Sequence, residues 1–164
     1  CSLAAAGAVA DPSGFTEEAD LSIAVQFPLM LKILQFDRNL PSRAGSEIVV
    51  AAVYQGRYRA SVRARDEVHR AAQASPNQRV ADLPVRIVDI DVERVNLKDA
   101  LDSLVTRELR IGSMTGVEEY VHQGVAVGLG VWQEKPRVLV NLDASKAEGA
   151  DFSSRLLSLA QLVK

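Results

Sequence analysis

The side chains best suited by type to acid–base work are the two histidines, His69 and His122. His122 follows Glu118-Glu119-Tyr120, a run that a single helical turn would fold into two carboxylates beside an imidazole. Glu118 and His122 also have the i, i+4 spacing of paired metal ligands on a helix. No third ligand is supplied by spacing, so the expectation for this turn is a solvated polar surface and no metal. His69 lies in an arginine-rich stretch beside Asp66 and Glu67. Ser113 and the pair Ser153-Ser154 are the serines worth testing as nucleophiles, and neither sits in a Gly-x-Ser-x-Gly elbow. The glycines of 124–130 (Gly-Val-Ala-Val-Gly-Leu-Gly) have the wrong order for a phosphate loop, and a strand follows them where a helix is required. Close backbone packing or a bulge accounts for them better. No nucleophile, base and orienting group come together, so the sequence predicts no catalytic residue, no metal site and no cofactor.

Binding chemistry is better represented. Arginines at 57, 59, 63, 65 and 70 favour an anionic partner, but Arg63 and Glu67 stand at i, i+4, and a salt-bridged solvated helix face is the plainer expectation. The loop from Asp37 to Gly45 follows an apolar helix and precedes an apolar strand, which puts Asp37, Arg38 and Arg43 at a sheet edge where α/β proteins place sites. Tyr120 and Trp132 join them as candidate partner-binding residues if exposed, since Arg and aromatic side chains are the usual interface anchors.

The elements that would carry these residues alternate. Ile23, Phe27, Leu31 and Leu34 have helical spacing, with Pro28 either starting or kinking that helix. Pro41 and Gly45 then read as a loop. Residues 47–54 form a nearly unbroken β-branched run, the signature of a strand covered on both faces. A helix over 57–74 presents Ala60, Ala64, Val68 and Ala71 on one stripe and stops at Ser75-Pro76-Asn77. Strands are expected over 83–92 and 109–114, with Asn96 capping a short helix through Leu104 between them. One or two helical turns follow over 117–122. Residues 125–132 and 137–142 read as an antiparallel hairpin joined at Glu134-Lys135-Pro136. A closing helix capped by Asp151 would bury Phe152, Leu156, Leu159, Ala160 and Val163. The fold expected is α/β: a single three-layer α/β/α sandwich with a mixed sheet, a C-terminal antiparallel hairpin and a closing helix.

Composition narrows the class further. The 164 residues carry 19 basic and 21 acidic side chains for a net charge of −2, which argues against a nucleic-acid partner. No apolar run is long enough to span a bilayer as a helix. Cys1 is the only cysteine, so no internal disulfide can form. Residues 1–10 are small and apolar, and 11–20 hold four acids and no base. Two export readings fit this 1–20 segment: a signal-peptide remnant ending at Ala8-Val9-Ala10, or a lipid-anchored Cys1 followed by a linker. A plain flexible terminus fits as well. The folded unit is expected over 21–164.

The C-terminal block sharpens these readings. Asn141-Leu142, Ala144, Ala147, Gly149, Ser153-Ser154, Leu156-Leu157 and Leu159-Ala160 resemble the closing signature of the YfiR-like family. The helix from Leu29 to Phe36 running into the strand at 47–54 is similar to that family's opening. The resemblance implies a periplasmic, non-enzymatic domain that regulates a membrane-bound signalling protein, in the prototype a diguanylate cyclase bound at its periplasmic sensor region. A homodimer is compatible with it. Two departures stand out: this chain lacks the prototype's disulfide cysteines, and its segment at 104–108 is shorter than the family's middle. The competing readings are a periplasmic small-ligand binder using the crevice at the carboxyl ends of the strands, and a hydrolase or transferase hinging on His122 and Glu118.

Overall fold

The computed structural model describes residues 2–4 as backbone, then 21–74, 79–91 and 111–163. In chain order the elements are β1 (Ser2–Ala4), α1 (Ile23–Leu34), α2 (Leu40–Ala44), β2 (Ile48–Tyr54), α3 (Arg59–Gln73), β3 (Arg79–Val80), β4 (Leu83–Asp91), β5 (Ser113–Thr115), α4 (Glu119–His122), β6 (Val127–Trp132), β7 (Lys135–Asn141), α5 (Leu142–Ala147), α6 (Ser154–Leu157) and β8 (Gln161–Val163). The strands form one mixed sheet in the order β3-β4-β2-β1-β5-β6-β7-β8. Strands β4, β2, β1, β5 and β6 run parallel, and β7 turns back against β6. The α/β class and mixed sheet match the sequence reading.

Side-chain alternation explains how helices cover this sheet. Ile48, Val50 and Ala52 of β2 share one face and pack with Phe27, Met30 and Leu31 of α1 and with Ala64 and Val68 of α3. Val127 and Leu129 of β6 continue this core. On the opposite face a smaller cluster joins Val121 of α4 to Leu139 and Val163. Helices thus flank both faces, with the larger core under α1 and α3.

Pro28 stands inside α1, which begins upstream of it at Ile23. Its missing N–H removes one ladder bond, a cost of about 3 kcal/mol. Burial of Phe27, Met30, Leu31, Ile33 and Leu34 around it offsets that loss.

Several elements differ from expectation. The 37–45 loop contains the short helix α2, ended by Gly45 at φ 63°. The third expected strand begins at Ser113 and runs to Thr115. The hairpin turn is Gln133-Glu134, with both residues at positive φ (50° and 62°), the paired left-handed geometry whose twist suits a two-residue hairpin. Pro136 lies in β7, opposite Val131 and beyond the reach of β8, so its missing N–H costs no bond to that neighbour.

The largest difference is the closing helix, which stops at Leu157 and gives way to β8, paired parallel with β7. Leu156 and Val163 are buried as expected, while Leu159 is 74% exposed. A short apolar run satisfies both the 3.6 and the 2.0 period, and here the unpaired edge of β7 selects the strand.

Of residues 1–20, expected outside the folded unit, Ser2–Ala4 pair in the sheet between β2 and β5. Two neighbouring parallel strands offer that tripeptide hydrogen bonds on both sides. The acidic stretch 11–20, the helix stop at 75–77, the Asn96 helix and the segment 104–108 lie outside the described residues.

Candidate functional site

Three of the five candidate interface residues prove to be structural. Asp37 is 4% exposed. Its Oδ1 accepts hydrogen bonds from the backbone N–H of Asn39 and of Asp151, each at 2.9 Å, and its Oδ2 accepts from Arg43 Nη2. Arg43 Nη1 also donates to the Glu148 carbonyl at 2.9 Å, and Asn39 Nδ2 donates to the Gly149 carbonyl at 3.0 Å. Backbone bonds from Arg38 N–H to Asp151 O and from Ser153 N–H to Phe36 O complete a clasp between 36–43 and 148–153. Asp37 and Arg43 therefore spend their charges inside the molecule. Tyr120 is also buried, which corrects its placement among exposed anchors.

The residues carrying the C-terminal signature build the other half of this clasp. Asn141 Oδ1 accepts from the Ala144 N–H, capping α5, while its Nδ2 donates to the Val121 carbonyl at 3.0 Å. Beyond α5, Gly149 at φ 80° and the bonds Ala150 N–H to Ser145 O and Gly149 N–H to Lys146 O form a Schellman ending. That turn delivers Asp151 to Asp37.

Nor do the catalytic candidates assemble. Glu118 accepts from Arg137 Nη2, which commits its carboxylate away from the exposed His122. Ser113 Oγ donates to Glu148 Oε1 at 2.6 Å and accepts from the Ala126 N–H at 2.9 Å, with both side chains buried. His69 faces Asp89 at 2.7 Å. Among the described residues no three His, Cys, Asp or Glu side chains group as metal ligands. The glycines in β6 are packing residues. A Cβ on Gly128 would lie 2.3 Å from Val121 Cγ2, and one on Gly130 would lie 2.7 Å from Glu118 Oε2.

Among the described residues, Val25 on α1 and Ile90 on β4 are exposed, and the other exposed large hydrophobic residues fall on or beside β6 and β8. Trp132 is 61% exposed at the hairpin tip, and the Arg137 guanidinium sits 5.4 Å from the centroid of its ring. Arg137 is held in turn by Glu118 and by Gln161 Oε1 at 2.7 Å, so the stack is anchored to both α4 and β8. Leu162, 48% exposed, pairs beside Val140 and faces the α1 side, while Trp132 and Gln161 face the other. Leu159 lies just before β8. The helical reading of 151–163 counted Leu159 as buried and did not single out Leu162; the signal for the strand that carries Leu162 is the period-2 run Gln161-Leu162-Val163. Arg38 is also exposed, with Asp151 at 3.7 Å, and stands apart on the clasp.

No helix among the described residues is long and apolar enough to cross a membrane. No curated protein matches the chain. A crystal structure of a conserved domain protein from Vibrio cholerae O1 biovar El Tor is similar at a TM-score of 0.55 and 12% identity, over 88% of this chain and 61% of that one. That likeness shows the fold, and this chain spans about 61% of the Vibrio protein's length. The family model described as YfiR/HmsC-like matches residues 24–161, from α1 to the first residue of β8. The chain belongs to the YfiR/HmsC-like family.

Proposed function

We propose that this domain is a periplasmic, non-enzymatic regulatory module that modulates a membrane-bound signalling protein, such as a diguanylate cyclase, by protein–protein contact. Family membership supports the regulatory class. The observation that carries the contact surface is the exposure of Trp132 at the hairpin tip on one face of the sheet, with Leu162 exposed on the other face of the β8 edge and Leu159 just before that strand. An edge strand with solvent-facing leucines is a liability for a protein that works alone, and a binding surface for one that does not. Trp132, pre-oriented by Arg137, supplies a rigid aromatic anchor that loses little conformational freedom on binding. Of the five candidates, Trp132 is retained as an anchor, while Arg38, apart on the clasp, is not assigned to this edge.

A pull-down of solubilised membrane proteins with the tagged domain tests this reading. A specific membrane protein retained by the wild-type domain is expected to be lost with Trp132→Ala and Leu162→Asp. Retention of the same proteins by both variants, or of none by the wild type, counts against the proposal. Loss of signalling output without any partner contact would point to a ligand-binding role instead.

A further inference from the structure

We propose that a second surface, the exposed arginines Arg57, Arg59 and Arg63 where β2 passes into α3, docks on an anionic phospholipid bilayer. The sequence spacing suggested that Arg63 would pair with Glu67. In the structure Glu67 instead faces Arg70 at 3.7 Å, and Arg65 pairs with Asp66 at 2.6 Å. Arg57, Arg59 and Arg63 are left exposed, with no acidic partner among the described residues. The first turn of α3 contains no acid either. Asp91 lies at this end too, its carboxylate accepting the Gly56 N–H at 2.9 Å, and the three arginines outnumber it, so on a chain of net charge −2 this is a local excess of positive charge.

Register places the patch at one end of the molecule. Val53, Ala4, Thr115 and Gly128 stand at one level across β2, β1, β5 and β6. Arg57 and Trp132 each follow that level by four residues, so both project from the carboxyl end of the parallel strands. β2 and β6 are three strand spacings apart, about 14 Å. The same end thus carries unpaired arginines, the Tyr58 ring with Arg57 at 4.9 Å from its centroid, and the exposed indole. Arginine with amphipathic aromatics is the composition that settles at a membrane interface. Guanidinium groups not held by carboxylates can follow laterally mobile headgroups, which favours a bilayer over a shaped protein site. This orientation would bring the Trp132 edge close to the membrane that holds the proposed partner.

Sedimentation with vesicles of phosphatidylglycerol mixed with phosphatidylcholine, against phosphatidylcholine alone, tests the assignment. Binding to the anionic vesicles only, weakening with added salt, is expected. Each arginine at an anionic surface contributes roughly fivefold to partitioning, so Arg57→Gln/Arg59→Gln/Arg63→Gln should reduce it by about 100-fold. The control Arg38→Gln/Arg70→Gln/Arg86→Gln removes the same charge from ion-paired positions and should change binding by no more than about twofold. No binding to anionic vesicles, equal binding to neutral ones, or equal losses in the two triple variants would overturn the proposal. The probe is lipid alone, so a failed pull-down of protein partners leaves this result standing.

Discussion

Two arginine-bearing loops of this domain have opposite fates. In the first, between α1 and β2, Asp37 and Arg43 are withdrawn into a clasp whose partners lie more than a hundred residues away, at Glu148 and Asp151. In the second, between β2 and α3, Arg57, Arg59 and Arg63 stay in solvent without an ion pair to any described residue. Composition makes the first look functional and the second bland. The structure buries the paired charges of the first and leaves those of the second exposed. Local spacing reports which charges can pair along a helix, and it is silent about backbone groups brought in from the far end of the chain.

The contrast can be broken most forcefully at the clasp. Asp37→Ala leaves Arg43 largely buried without its carboxylate and two backbone N–H groups without an acceptor. Removing one partner of a buried pair costs roughly 3 kcal/mol, and a thermal melt should show a fall of roughly 10 °C. An unchanged melt would demote the clasp to a surface turn. Gly128→Ala should cost about 1–3 kcal/mol in denaturant unfolding, because its new methyl meets Val121 across the back of β6. Trp132→Ala sits at the other extreme: stability should move by no more than about 0.5 kcal/mol while partner retention is lost.

The smallest effect concerns Glu47, the last residue of the first loop, immediately before β2. The Arg86 guanidinium hydrogen-bonds its carboxylate, with contacts at 2.9 and 3.0 Å, and holds its pKa below the usual glutamate value. A depressed carboxyl pKa stabilises the fold above the unfolded value, and that contribution is lost as pH falls through the folded one. The pair is exposed, so the consequence is confined to the acid side and small. An NMR titration should find the Glu47 carboxyl low and returned upward by Arg86→Ala.

Much of the architecture was legible. The β-branched run at 47–54, the helix over 57–74 and the antiparallel hairpin were readable because each repeats one period over enough residues to exclude the other. The end of the chain was not. Residues 151–163 fit a buried helix by spacing, and only the open edge of β7 turns the last of them into a strand and leaves Leu159 and Leu162 outside. Trp132 meets the exposure its candidacy required, because an indole at a hairpin tip has little to cover it. Tyr120 was not readable as buried, because its burial depends on the turn of α4 packing over a glycine-bearing strand. The C-terminal signature identified the family while saying nothing of a site, since its Asn141 and Gly149 are the cap and the turn that hold the clasp.

A domain that regulates a membrane protein by contact through the β6–β7–β8 edge must touch that protein there. Site-specific photocrosslinking in intact cells, with the reactive group placed at Leu162, at Trp132 or at the distant Arg70, tests that contact most directly. The two edge positions are expected to crosslink to the same membrane signalling protein, and position 70 is not. Crosslinks from position 70 alone, or none from either edge position, would contradict it.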